Sequence, residues 1–201
     1  RRDHACCTLN DRLFVFGGKN NDGWLNSCEV FDGHVWTLLP NMKIARCKPA
    51  VVTFMNKLWV IGGKNANGDV ESSVEVYHPT NNRWEDSTPM LTPRYYHGSA
   101  AIGNKLFVFG GRDRSQRVLD TCEVFDVKSN NFTYVQNMPK PTFAFCMTIL
   151  KNEIFCIGGR TTSGGAISKL VQVYNTVDNK WTSFKTEFPL DDFLTLQAVS
   201  F

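Results

Sequence analysis

The sequence predicts an all-β repeat protein in which four-stranded sheets are set radially around an axis, and three observations carry that prediction. First, an apolar run closes on a glycine pair four times, at Phe16-Gly17-Gly18, Ile61-Gly62-Gly63, Phe109-Gly110-Gly111 and Ile157-Gly158-Gly159, with the first glycines 45, 48 and 48 residues apart. Second, a short polar stretch later comes a triplet ending in an aromatic: Glu29-Val30-Phe31, Glu75-Val76-Tyr77, Glu123-Val124-Phe125 and Gln172-Val173-Tyr174. Third, each triplet is followed by one more aromatic, Trp36, Trp84, Phe132 or Trp181. A period in the high forties with strand-like segments in every unit belongs to a radial β repeat, not to a helical solenoid.

Within the third unit, Gly98 to Ile102 and Lys105 to Phe109 read as two strands joined by the turn Gly103-Asn104, which makes a hairpin. Thr121 to Asp126 gives a third strand, and the turn at Lys128 to Asn131 leads into a fourth, Phe132 to Val135. The other units follow the same order, with a shorter turn centred on Asp32-Gly33 in the first. Paired glycines at a strand end let a second backbone or a flat ring come close where a Cβ would block it, and an indole is the expected occupant. No phosphate-cradling glycine motif surrounds them.

These features resemble the kelch repeat, a resemblance that covers the whole chain, although Phe132 replaces the usual tryptophan and Gln172 the usual acid. It implies a kelch-type β-propeller. Linkers such as Leu39-Pro40-Asn41-Met42 and the residues ten positions after each fourth-strand aromatic (Arg46, Arg94, Thr142) place repeats at about 1–45, 46–93, 94–141 and 142–190. Residues 191–201 then open a fifth repeat, so the chain reads as four complete blades plus the first strand of another, an incomplete propeller. Exposed sheet edges in such an arc predict poor solubility or self-association when the chain is isolated.

Composition narrows the function. A net charge of +3 is too small for a general polyanion binder, so nucleic acid is not an expected partner. No run approaches the length needed to cross a bilayer, and no membrane association is expected. The seven cysteines form neither CxxC pairs nor metal-ligand spacings. Cys28 and Cys122 stand where other units have Val74 and Val171, and Cys156 where others have Val15, Val60 and Val108. They read as small core hydrophobes in a reducing, cytoplasmic compartment.

Because the first two strands of each unit form an antiparallel hairpin, the start of one and the end of the other share one end of the blade. Arg1, Arg46, Arg94 and Thr142 open the repeats, while Lys19, Lys64, Arg112 and Arg160 follow the glycine pairs. Two arcs of mostly cationic residues on one face, with Trp24 and Tyr95 beside them, are the candidate partner-binding surface. Guanidinium and ammonium groups there suit an acidic or phosphorylated peptide; the structural alternative pairs them with nearby Asp and Glu.

Leu25 to Asp32 and Pro93 to Ser99 resemble the BTB-kelch substrate adaptors, a class in which an upstream BTB domain links the propeller to a cullin-type ubiquitin ligase. That resemblance implies a non-catalytic recognition module binding a protein substrate on the loop face. Kelch proteins also include actin scaffolds and a few sugar oxidases and isomerases. Against an enzyme, the sequence holds no Ser-His-Asp grouping, HExxH helix or paired-carboxylate motif, and His4, His34, His78 and His97 read as structural or exposed. No cofactor and no metal are expected.

Overall fold

The computed structural model describes residues 1–162, 165 and 167–185, and the chain divides into two compact units, Arg1–Tyr95 and Tyr96–Phe201. The predicted fifth-repeat opening at residues 191–201 lies outside the described residues. In the first unit the strands are β1 (Ala5–Leu9), β2 (Arg12–Phe16), β3 (Cys28–Phe31) and β4 (Trp36–Leu39), followed by β5 (Arg46–Cys47), β6 (Ala50–Phe54), β7 (Lys57–Ile61), β8 (Lys64–Asn65), β9 (Val74–His78) and β10 (Arg83–Ser87). In the second they are β11 (Gly98–Ile102), β12 (Lys105–Phe109), β13 (Cys122–Asp126) and β14 (Asn131–Val135), then β15 (Cys146–Leu150), β16 (Glu153–Ile157), β17 (Leu170–Asn175) and β18 (Lys180–Lys185).

Each unit holds two antiparallel four-stranded sheets, ordered β1-β2-β3-β4 and β6-β7-β9-β10 in the first, β11-β12-β13-β14 and β15-β16-β17-β18 in the second. Those are the four predicted blades. The hairpin of the third blade pairs Gly98 with Phe109 and Ile102 with Lys105, so it closes on the expected two-residue turn. The shorter first turn is fixed by Asp32, whose Oδ1 accepts the backbone N–H groups of His34 and Val35 at 2.9 Å each.

Alternate residues of the inner strands pack between neighbouring blades of a unit. In the first unit Phe14, Phe16, Cys28, Val30, Met42, Leu58, Val60 and Tyr77 form one such core, and in the second Phe107, Phe109, Cys122, Val124, Ile154, Cys156 and Tyr174 form another. The glycine pair serves this packing differently from the expectation. What approaches it is a carbonyl: a Cβ on Gly17 would lie 2.4 Å from the Arg46 oxygen, and one on Gly110 2.4 Å from the Thr142 oxygen. The following amide donates to that same carbonyl, Gly18 to Arg46 at 2.8 Å and Gly111 to Thr142 at 2.9 Å, which ties one blade to the opening of the next.

The indole sits elsewhere. Trp84 packs edge-on against Phe16, 5.7 Å between centroids, and its Nε1–H donates to Pro40 O at 2.8 Å. Trp181 repeats the arrangement with Phe109 at 5.0 Å and Gln136 O at 2.8 Å. Both reach back to the preceding blade, so the fourth-strand aromatic and the glycine pair are two independent inter-blade ties.

Cys28, Cys47, Cys122, Cys146 and Cys156 are buried, while Cys6 and Cys7 are partly covered. Burial pushes the Cys7 and Cys28 thiols up to about 12 and Cys47 to about 11, and holds Cys156 well above its usual range. A thiol that stays protonated is a poor nucleophile. Intact-mass analysis after iodoacetamide at mildly alkaline pH should therefore show slow modification of the folded protein and all seven sites modified in urea. Rapid native labelling of Cys28 or Cys122 would contradict the burial argument.

Candidate functional site

The opening residue and the residue after the glycine pair do meet at one end of the blade. Backbone bridges join Arg2 to Lys19 in the first blade and Phe143 to Arg160 in the fourth, and β5 pairs with β8 so that Cys47 faces Lys64 in the second. The side chains, however, part company.

The opening side chains turn inward. Arg46 and Arg94 are fully buried and Thr142 is 1 % exposed, so these three are not part of an accessible surface. In the second blade Arg46 Nη1 donates to Gly62 O at 2.8 Å and Ser73 O at 3.2 Å, while Nη2 donates to Ser73 Oγ at 3.1 Å and Glu75 Oε1 at 2.6 Å. Arg1 builds the same fork in the first blade, to Gly17 O at 3.0 Å, Ser27 O at 3.1 Å, Ser27 Oγ at 3.2 Å and the Glu29 carboxylate. The physical reason is local. A glycine carbonyl left over at a strand end, a serine and a buried carboxylate need donors, and one guanidinium supplies them all.

In the fourth blade a neutral pair replaces the fork. Gln172 Nε2 donates to Thr142 Oγ1 at 3.0 Å and to Lys140 O at 3.1 Å, and its Oε1 accepts the Lys140 amide at 2.8 Å. The two departures from the repeat pattern, Thr142 and Gln172, are thus one substitution of a charged pair by an uncharged one.

The residues after the glycine pairs keep partial exposure, and each of the first three lies against an aromatic ring. Lys19 Nζ is 5.4 Å from the Trp24 ring centre. Lys64 Nζ is 5.8 Å from that of Tyr95, a ring that is itself buried. Arg112 Cζ is 4.4 Å from that of Phe143. Such contacts hold a cation in place while leaving its charge available, at about 0.5–1 kcal/mol where solvent reaches them. Arg160 bends back instead, donating to Gly165 O at 3.3 Å.

A further cation belongs to this surface and was not singled out from the sequence. Lys48, two residues after Arg46, has its Nζ 6.0 Å from the Tyr95 ring centre and 3.9 Å from Asp3 Oδ2, and Lys19 Nζ reaches that same oxygen at 3.2 Å. Its register position was the available signal: Asp3, Lys48, Tyr96 and Ala144 all follow an opening residue by two, and all four adopt left-handed backbone with φ of 52 to 57°. Four non-glycine residues in that region at one repeat position mark a built turn and not a chance strain.

His78 Nε2 lies 2.9 Å from Glu85 Oε2 at a strand end, His34 is exposed, and burial together with Arg1 lowers the His4 pKa. Among the described residues no cluster of three or more His, Cys, Asp or Glu side chains could hold a metal ion.

Comparison with known proteins fits this repeat chemistry. Residues 48–190 match the KLHDC2/KLHL20/DRC7 Kelch-repeats domain, and residues 1–43 match the Kelch motif. The chain belongs to the kelch-repeat family. Kelch-like protein 34 of Homo sapiens is 32% identical over 115 residues, half of this chain and 18% of that protein. Beta-scruin of Limulus polyphemus is 29% identical over 105 residues, 48% of this chain and 12% of that protein. The chain therefore spans a minor part of the relatives it matches. The solved structure of YjhT superposes with a TM-score of 0.79 at 16% identity, covering 94% of this chain and 66% of that one, which shows the shared fold. As a kelch β-propeller, the chain is a protein-interaction module.

Proposed function

We propose that this kelch propeller is the substrate-recognition part of a BTB-kelch adaptor for a cullin-type ubiquitin ligase, working in the cytoplasm without catalysis of its own. The partner is a protein segment rich in carboxylates, taken up on the face of the first unit that carries Lys19, Lys48 and Lys64. The observation that carries the reading is the repeated seating of a post-glycine cation on an aromatic ring, at Lys19 with Trp24, Lys64 with Tyr95 and Arg112 with Phe143. Rigid cations on loop ends are a recognition device, and aromatic neighbours supply apolar contact at low entropic cost. Arg1, Arg46, Arg94 and Thr142 support that face from inside, by holding the loop that carries it.

Affinity capture from cells tests this, comparing the wild-type full-length protein with a Lys48→Glu/Lys64→Glu variant and probing each eluate for cullin and actin. A substrate lost from the variant with cullin retained is the expected result. Cullin absent from both eluates, with actin retained, would favour the scaffold reading; equal recovery of every partner would overturn the cationic face.

A further inference from the structure

The lysine pair of the first unit already holds a carboxylate. Asp3 Oδ2 is 3.2 Å from Lys19 Nζ and 3.9 Å from Lys48 Nζ, so one oxygen is shared by two ammonium groups. All three side chains are roughly one-fifth to one-quarter exposed, at 25% for Asp3, 27% for Lys19 and 19% for Lys48. The group is therefore reachable from solvent, yet covered enough for its charges to feel one another.

The carboxylate is positioned by backbone. Asp3 sits at φ 56°, its carbonyl accepts the Lys48 amide at 2.7 Å, and reciprocal bonds between Arg2 and Lys19 at 2.9 Å in each direction fix the two residues that flank it in space. The equivalent position is lysine in the second blade, tyrosine in the third and alanine in the fourth. An acid is not required there by the turn, which all four residues form.

From this we propose that Lys19 and Lys48 form a subsite for a side-chain carboxylate of a bound peptide, and that Asp3 is an internal stand-in which the ligand's own carboxylate displaces. The inference rests on the acidic-peptide reading above and adds to it a competitor encoded in the chain. Commitment to carboxylate follows from the occupant: the group already set beside both ammonium ions is one. Asp3 sets a threshold, because a ligand must outbid a tethered carboxylate to enter, and an isolated acidic residue gains less than an acidic run that engages Lys64 as well.

The test uses a fluorescein-labelled octaglutamate peptide and fluorescence anisotropy at low salt, with the full-length wild-type protein, Asp3→Asn and Lys48→Gln. Asparagine tolerates left-handed backbone as aspartate does, so the turn survives the exchange; circular dichroism melts check this, and Asp3→Gly serves if Asp3→Asn fails to fold. Asp3→Asn should tighten binding by about twofold to fivefold and Lys48→Gln weaken it by a similar factor, the scale of one partly exposed ion pair. Binding by Asp3→Asn alone would support the proposal in stronger form. If wild type binds and Lys48→Gln weakens it while Asp3→Asn is unchanged or weaker, the stand-in is wrong and the acidic-peptide reading stands. If no variant binds, both fall.

Discussion

Arg46→Ala is expected to lower the unfolding free energy by about 3–5 kcal/mol, the range for breaking a buried ion pair by removing one partner. The Arg46 side chain is 0% exposed and that of Glu75 2%, so the pair is out of contact with bulk water. Alanine leaves Gly62 O, Ser73 O and Ser73 Oγ without the guanidinium. It also leaves the Glu75 carboxylate with the amides of Lys43 at 2.7 Å and Ile44 at 3.3 Å in place of a cation. Arg46→Lys should recover part of the loss, because an ammonium reaches one or two of four acceptors that a planar fork reaches together.

A double-mutant cycle separates this from a surface role. Glu75→Ala alone leaves a buried guanidinium without its anion, and the double variant Arg46→Ala/Glu75→Ala should cost less than the two single losses added. Urea unfolding of the three variants measures it. An Arg46→Ala protein within about 0.5 kcal/mol of wild type, the ordinary scatter of surface substitutions, would show that the side chain works outside the fold. The consequence for function is practical: a partner lost from Arg46→Ala reports damage to the loop end, whereas loss from Lys48→Glu/Lys64→Glu reports the face.

The blades were legible because each rests on a short-range rule. The glycine pair, the two-residue hairpin turn and the strand alternation are all set within about twenty residues, and β11 and β12 fall on the predicted bounds. That the opening and post-glycine positions share one end of a blade was also readable, since a hairpin fixes it. The direction of each side chain was not. Whether an arginine faces solvent or Glu75 depends on contacts 16 to 29 residues away, and charge alone looks the same in both cases. A still longer separation hid Lys48, whose neighbours Asp3 and Tyr95 come from other repeats. The glycine pair misled for a related reason: sequence shows that a close approach is needed, and only the neighbouring blade shows that a carbonyl makes it.

Thr142→Arg, which restores the repeat's own opening residue, is expected to destabilise the fourth blade by about 2–4 kcal/mol, the cost of a buried charge with no carboxylate to meet it. Thr142 is 1 % exposed and its hydroxyl accepts from the Gln172 amide at 3.0 Å. A guanidinium there would face a neutral amide where Arg46 faces a carboxylate. The fourth blade differs from the others at all three corners of the fork: Thr142 for arginine, Gln172 for glutamate, and Leu170 where Ser27, Ser73 and Thr121 carry hydroxyls. Each exchange removes a polar demand that the others would have met, so the three belong together even though 30 residues separate Thr142 from Gln172. The triple variant Thr142→Arg/Leu170→Ser/Gln172→Glu rebuilds the arrangement of Arg46, Ser73 and Glu75, and should unfold within about 1 kcal/mol of wild type by urea titration. A triple variant no better than Thr142→Arg would mean that the three positions are not one unit and that the neutral pair is held by other contacts.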